Sequence, residues 1–231
     1  MDSTGPPLRS SWYLGVFGML VGGLVLLGCT SSDAEDPPAA APDTTLPASV
    51  ADTATFAGGC FWCMEPPYDK IDGVGATTSG YAGGDVVDPS YEAVSSGTTG
   101  HAEVVQVIYD STKVDYGRLL RVYWHNVDPF DDGGQFCDRG SSYRPVIFAH
   151  DARQRRLARQ SKETVAARFD QPIAVPVQPL DAFYDAEQYH QNYYKKNPGH
   201  YKNYRRGCGR DARLQEIWGE DAGTDAPLAA K

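Results

Sequence analysis

A surplus of positive charge is the first thing this sequence lacks. Its 21 lysines and arginines are outnumbered by 30 aspartates and glutamates, for a formal net charge of -9. Phosphate backbones are held by clustered Lys and Arg, so the balance argues against a nucleic acid as main partner and favours a neutral or cationic ligand. Long apolar runs are also missing. The stretch from Trp12 to Gly28 is shorter than the ~20 residues a membrane-spanning helix needs. Cysteine is scarce and uneven, at Cys29, Cys60, Cys63, Cys137 and Cys208, which does not suit the disulfide lattice of a small secreted scaffold. No second close Cys or His pair answers Cys60 and Cys63, so a structural metal is not expected. Chemistry is the better use for at least some of these thiols.

At 231 residues the chain has room for one ordinary domain with appendages. The apolar stretch after Arg9 reads as a secretory signal over residues 1–28. Leu26-Leu27-Gly28-Cys29 resembles the bacterial lipobox, which implies a lipid on Cys29 and an exported protein, periplasmic or at the cell surface, tethered to a membrane. The alternative is an uncleaved anchor with an incidental Cys29. Residues 29–52 are rich in Pro, Ala, Ser, Thr and Asp and read as a disordered linker. The catalytic domain is expected over 53–218, and 219–231 as a flexible tail.

Within the domain, apolar periodicity predicts a strand at 54–57 and a helix from Cys60 to Ile71 bearing Pro66 and Pro67. Strands follow at 74–81 and 102–109, then a helix at 116–127, a strand at 146–149 and a helix capped by Asp151. The order βαββαβ predicts an α+β fold, a two-layer sandwich with a ferredoxin-like core and helices on one side of the sheet. Ile173 to Val177 is expected as an edge strand because of Pro176. A last helix is expected from Asp185 to Lys196, before a long irregular C-terminal tail carrying Cys208.

Gly58-Gly59-Cys60-Phe61-Trp62-Cys63 sets a thiol where a strand becomes a helix. Free N–H groups and the helix dipole favour an anion there, so a stabilised Cys60 thiolate is expected. The competing expectation is a pair of buried core cysteines, which the two preceding glycines weaken by allowing close approach.

Six ordered segments then carry a resemblance: Gly59-Cys60-Phe61-Trp62-Cys63-Met64-Glu65, Ser79-Gly80-Tyr81-Ala82-Gly83-Gly84, Thr99-Gly100-His101-Ala102-Glu103-Val104, Asp138-Arg139-Gly140-Ser141-Ser142-Tyr143-Arg144, Tyr189-His190-Gln191 and Arg206-Gly207-Cys208-Gly209-Arg210. Over about Thr53 to Trp218 the chain resembles the A-type peptide methionine sulfoxide reductases. Repair of methionine sulfoxide by one enzyme per epimer is general knowledge of this chemistry; for this chain the resemblance implies the S epimer, in proteins or as the free amino acid. It implies Cys60 as nucleophile on the sulfoxide sulfur and Glu103 as the acid that protonates the oxygen, a role suited to a carboxyl among apolar neighbours. It implies Tyr91 and Tyr143 as donors to that oxygen and Asp138 as an acid orienting the substrate. Phe61 and Trp62 can wall an apolar pocket for the methyl group on sulfur, although core packing competes for Phe61.

A sulfenic acid on Cys60 condenses with a second thiol. Cys208, among Lys202, Arg205, Arg206, Arg210 and Arg213, fits best, with thioredoxin or a similar reductant closing the cycle. Cys63 and Cys137 are candidates as additional resolving thiols or inert. No organic or metal cofactor is implied, and a monomer is expected. Two other functions compete. A thiol-disulfide oxidoreductase would use Cys60 and Cys63, but would have more structured chain before the motif. A peptide-binding lipoprotein would use the fourteen tyrosines and need none of Cys60, Glu103 and Cys208.

Overall fold

Alternation of side chains at period two builds the centre of the molecule. In the computed structural model, which describes residues 46–229, β1 is Ala51–Ala57, β2 is Val74–Ala82 and β3 is Ala102–Asp110. Along β3, Val105, Val107 and Tyr109 point into one apolar cluster, while Ala102 and Val104 point into a second. Both faces of the central sheet are therefore apolar there, which explains a near-continuous β-branched run where a one-sided sheet would alternate with polar residues.

The first helix, α1 (Phe61–Asp69), links β1 to β2, and the short α2 (Tyr91–Ser95) links β2 to β3. After α3 (Tyr116–Trp124) come a small hairpin, β4 (Gly134–Gln135) and β5 (Asp138–Arg139), then β6 (Val146–Ala149) and α4 (Ala152–Ala166). Asp115 and Asp151 cap α3 and α4 by accepting the N–H of Arg118 and Gln154, each worth about 1 kcal/mol. The edges are β7 (Val177–Pro179) and β8 (Phe183–Asp185), and the sheet order is β7-β6-β1-β3-β2-β8. Every pairing is antiparallel except β6 with β7, so the fold is α+β on a mixed six-stranded sheet.

Helices α1, α3 and α4 send Phe61, Met64, Tyr68, Leu119, Leu120, Tyr123, Ala158 and Val165 onto the cluster that holds Phe56, Val105, Val107 and Ile147. Phe56 lies at its centre, stacked 5.3 Å from Tyr68 and 5.4 Å from Tyr123; truncating such a ring costs about 3–5 kcal/mol. Pro66 and Pro67 fall inside α1, where each removes one donor from the ladder. Among the described residues no helix is long and apolar enough to cross a membrane.

The C-terminal third departs from expectation. No strand occupies Ile173–Pro176; the edge strand begins at Val177, because Ala174 N–H is taken by Pro129 O and Val175 O by the Lys162 ammonium. The helix expected from Asp185 to Lys196 is absent over most of its length. Asp185 instead ends β8 opposite Gly80, and Gln191 clamps both Ser79 N–H and Ser79 O. Helix resumes only as α5 (Tyr193–Lys196), after Asn192 at φ 53°. The tail expected to be irregular is also helical, α6 (Pro198–Gly207) and α7 (Arg210–Trp218), divided at Gly209 with φ 66°. Leu214 and Trp218, one turn apart, bury the inner face of α7. The stretch beyond 218 is held at least to Asp225: Gly223 N–H reaches His125 O at 2.8 Å and Arg118 pairs with Asp225 at 2.6 Å. The signal, Cys29 and most of the linker lie outside the described residues.

Candidate active site

The turn between β1 and α1 admits only glycine. Gly59 sits at φ 82°, and a Cβ there would come 2.6 Å from Gln135 Cβ; one on Gly58 would meet Met64 and Val127 at 2.8 Å. The turn delivers Cys60 as the N-cap residue of α1, with Cys63 one turn on; both are buried and free. Beneath the turn the Arg210 guanidinium, itself buried, donates to Gly58 O at 3.0 Å and Asn126 O at 2.7 Å and lies 4.3 Å from the Phe136 ring.

Glu103, on β3 opposite Tyr81, is buried, and its Oε2 accepts the N–H of Phe61 at 3.1 Å. Burial pushes its carboxyl up to about 8, against the weaker opposing effect of that hydrogen bond. At neutral pH it carries a proton. The expected stabilisation of the Cys60 thiolate by helix N–H groups does not appear: Phe61 N–H serves Glu103 and Cys63 N–H serves Cys60 O. Burial, then the bond to Cys63 and the charge of Glu103, push the Cys60 thiol well up. Cys63 is lowered to about 7, chiefly by the hydrogen bond from Cys60 and, beyond that, by Arg210 and Arg205.

Tyr91 opens α2 and Tyr143 closes a 3-10 turn, Ser141–Tyr143. Each hydroxyl lies in the field of the other, of Glu103 and of Cys60; burial first, then Glu103, raises each, so both stay protonated donors. Asp138 on β5 accepts the Tyr204 hydroxyl at 2.5 Å; burial raises its carboxyl, with Tyr204, Arg210 and the Cys60 main chain opposing that rise. Trp62 stacks on Tyr193 at 3.7 Å and lies edge-on to Tyr204. Phe61 is buried within the main core, in ring contact with Tyr81 and His190; its backbone serves Glu103 while its ring serves packing.

Cys208, at the C-cap of α6, is bonded to Cys137 rather than to Cys60, with Cα atoms 4.8 Å apart. Cys137 is exposed and Cys208 half-buried. The cationic surroundings foreseen for Cys208 are only partly free. Arg210 is buried under the Gly58 turn, Arg205 pairs with Asp211, and Arg213 pairs with Asp128 at 2.7 Å. Lys202 and Arg206 remain exposed. The sulfurs of Cys137 and Cys208 lie with the Asp138 carboxylate in one cluster, but they are bonded to each other.

Residues 52–222 match the family model for peptide methionine sulfoxide reductase. The chain belongs to the peptide methionine sulfoxide reductase family. It is 49% identical over 168 residues to peptide methionine sulfoxide reductase MsrA of Bacillus subtilis, covering 72% of this chain and 95% of that one. It is 49% identical over 197 residues to MsrA 2 of Caulobacter vibrioides, covering 85% and 94%. Among solved structures, reduced Mxr1 of Saccharomyces cerevisiae superposes with a TM-score of 0.64 at 32% identity, covering 68% of this chain and 91% of that one. Methionine sulfoxide reductase A of Corynebacterium diphtheriae gives 0.55 at 31% identity. The fold also brings to this cluster groups that the sequence did not single out. Glu187 takes the Tyr91 N–H and Tyr204 holds Asp138, and neither lies in a quoted motif. Arg210 was visible, but as one of several cations; the glycines beside it gave no sign that it turns inward.

Proposed function

We propose that this enzyme, a peptide-methionine (S)-S-oxide reductase, runs its reaction on Cys60 and Glu103. The carrying observation is a buried carboxyl, raised to about 8, on the N–H of the residue next to the nucleophile. The Cys60 sulfur attacks the sulfoxide sulfur while Glu103 gives its proton to the oxygen, with the Tyr91 and Tyr143 hydroxyls donating to that oxygen. The thiol proton of Cys60 restores Glu103. In sum, the thiol and the sulfoxide become a Cys60 sulfenic acid and a thioether, with atoms and electrons balanced. Trp62 walls the methyl pocket, with the buried Phe61 ring packed beside it, and Asp138 orients the substrate. Glu103→Gln tests this: single-turnover formation of methionine should slow by about 10²–10⁴-fold, and an unchanged rate would overturn Glu103 as the acid.

Cys208 then attacks the sulfenic acid, forming a Cys60–Cys208 disulfide and water. Cys137 displaces Cys60 from that disulfide, leaving the observed Cys137–Cys208 bond. Support comes from Asp138, whose carboxyl is influenced by the Cys60 main chain while its chain neighbour Cys137 holds Cys208. A disulfide whose Cys137 end is exposed suits reduction by thioredoxin or a thioredoxin-like dithiol protein. Substrates are oxidised methionine in exposed protein segments and the free sulfoxide. The strand order of β6, β1, β3 and β2 with its antiparallel pairing supports a ferredoxin-like core. Export and acylation at Cys29 rest on the lipobox-like segment; Cys29→Ala should release the protein from membranes, and unchanged membrane retention would overturn the anchor.

A further inference from the structure

Tyr189-His190-Gln191 takes no part in the chemistry above, yet His190 is buried at the centre of the aromatic group around the site. Its ring lies 4.8 Å from Phe61, 4.5 Å from Tyr91 and 5.7 Å from Trp62, centroid to centroid. The Trp62 indole N–H reaches His190 Nδ1 at 3.1 Å. An indole nitrogen only donates, so Nδ1 is the bare nitrogen and the ring proton sits on Nε2. That Nε2 has no hydrogen-bond partner among the described residues and lies 3.8 Å from Glu187 Oε2. Glu187 is engaged twice more: Oε2 accepts the Tyr81 hydroxyl at 2.9 Å and Oε1 accepts Tyr91 N–H at 2.9 Å. One carboxylate thus sets the main chain of the oxygen-binding tyrosine and, through one imidazole, faces the indole of the pocket wall. Burial holds the imidazole down to about 4, so it stays neutral near pH 7.

We propose that Glu187 and His190 form a positioning pair that fixes the Trp62 indole relative to Tyr91, so that the sulfoxide's methyl group and its oxygen are registered together. The inference rests on the reading of Trp62 as pocket wall and Tyr91 as oxygen donor. Neither Glu187 nor His190 touches substrate; each acts through another residue.

The test combines kinetics with the indole proton resonance of Trp62, assigned by its loss in Trp62→Phe. His190→Phe keeps an aromatic ring but removes the acceptor. It should raise KM for a blocked methionine sulfoxide about tenfold, the worth of one buried hydrogen bond, and move the indole resonance upfield. Added to Trp62→Phe, it should do no further harm, because the bond it breaks is already gone. Glu187→Gln sets an amide N–H against His190 Nε2–H, so the ring should shift its proton to Nδ1 and release the indole, again moving the resonance. An unmoved resonance in both variants, or additive losses in the double variant, would overturn the pair. Trp62→Phe with unchanged KM would instead overturn the pocket reading on which the proposal stands.

Discussion

Phe61 N–H donates to Glu103 Oε2 at 3.1 Å, one residue beyond the Cys60 thiol. Burial raises the Glu103 carboxyl to about 8, so its acid form is present below that pH and is lost as pH rises through it. With free enzyme, kcat/KM should fall with an apparent pKa near 8, and Glu103→Gln should abolish that limb. A flat profile from pH 6 to 9 would contradict the assignment.

Glu65 raises a separate question of stability. Buried on α1, it accepts Asn192 N–H at Oε1 at 3.3 Å, and burial raises it to about 7 against the weaker opposing effects of Asn192 and Ser79. A folded-state pKa above the unfolded value means stability that is fully present below about 4.5 and lost as pH climbs through about 7. Glu65→Gln removes that loss, so between pH 5 and pH 8 the variant should gain on wild type by up to about 3 kcal/mol in unfolding free energy, seen as a Tm difference that widens with pH. A Tm difference independent of pH would count against a buried, protonated Glu65.

At Gly59 the chain needs φ 82° and has no room for a Cβ beside Gln135. Gly59→Ala should cost at least about 2 kcal/mol and lower Tm by about 4–8 °C. Because Cys60 follows directly, turnover should drop even where the variant stays folded. Differential scanning calorimetry with an activity assay at the same temperature checks both.

Thiol order can be followed by mass. After one turnover without reductant, wild type should carry the Cys137–Cys208 bond with Cys60 and Cys63 free. Cys137→Ser should stop at Cys60–Cys208. Cys63→Ser should still turn over with dithiothreitol, as an oxidoreductase built on Cys60 and Cys63 would not. Peptide mapping under non-reducing conditions reads the two disulfides, and an activity assay reads the third outcome.

Legibility followed the reach of the forces. The central strands β1, β2, β3 and β6 and helices α1, α3 and α4 were visible because local patterns and caps agree with the sheet they build: Asp151 caps α4, and Val105 and Val107 bury one face of β3. The short α2 and the β4–β5 hairpin were not, being too short to carry a period of their own. The region from Asp185 to Asn192 was misjudged because Gln191, 112 residues away from Ser79 in sequence, fixes its backbone in place of a helical ladder. The C-terminal helices were hidden behind glycines and charges whose partners, Asp128 for Arg213 and Gly58 for Arg210, lie far along the chain. At the site, Cys60, Glu103, Tyr143 and Asp138 could be named from motifs, and Tyr91 only from the family resemblance. Their electrostatics could not, since the burial that raises Cys60 and Glu103 belongs to the folded sheet and helix together.

The most direct measurement is turnover of the separate S and R epimers of a blocked methionine sulfoxide with dithiothreitol, by wild type and Cys60→Ser. Reduction of the S epimer alone, lost without Cys60, is the predicted result. Reduction of neither epimer by wild type, or S-epimer turnover that survives Cys60→Ser, would contradict the account.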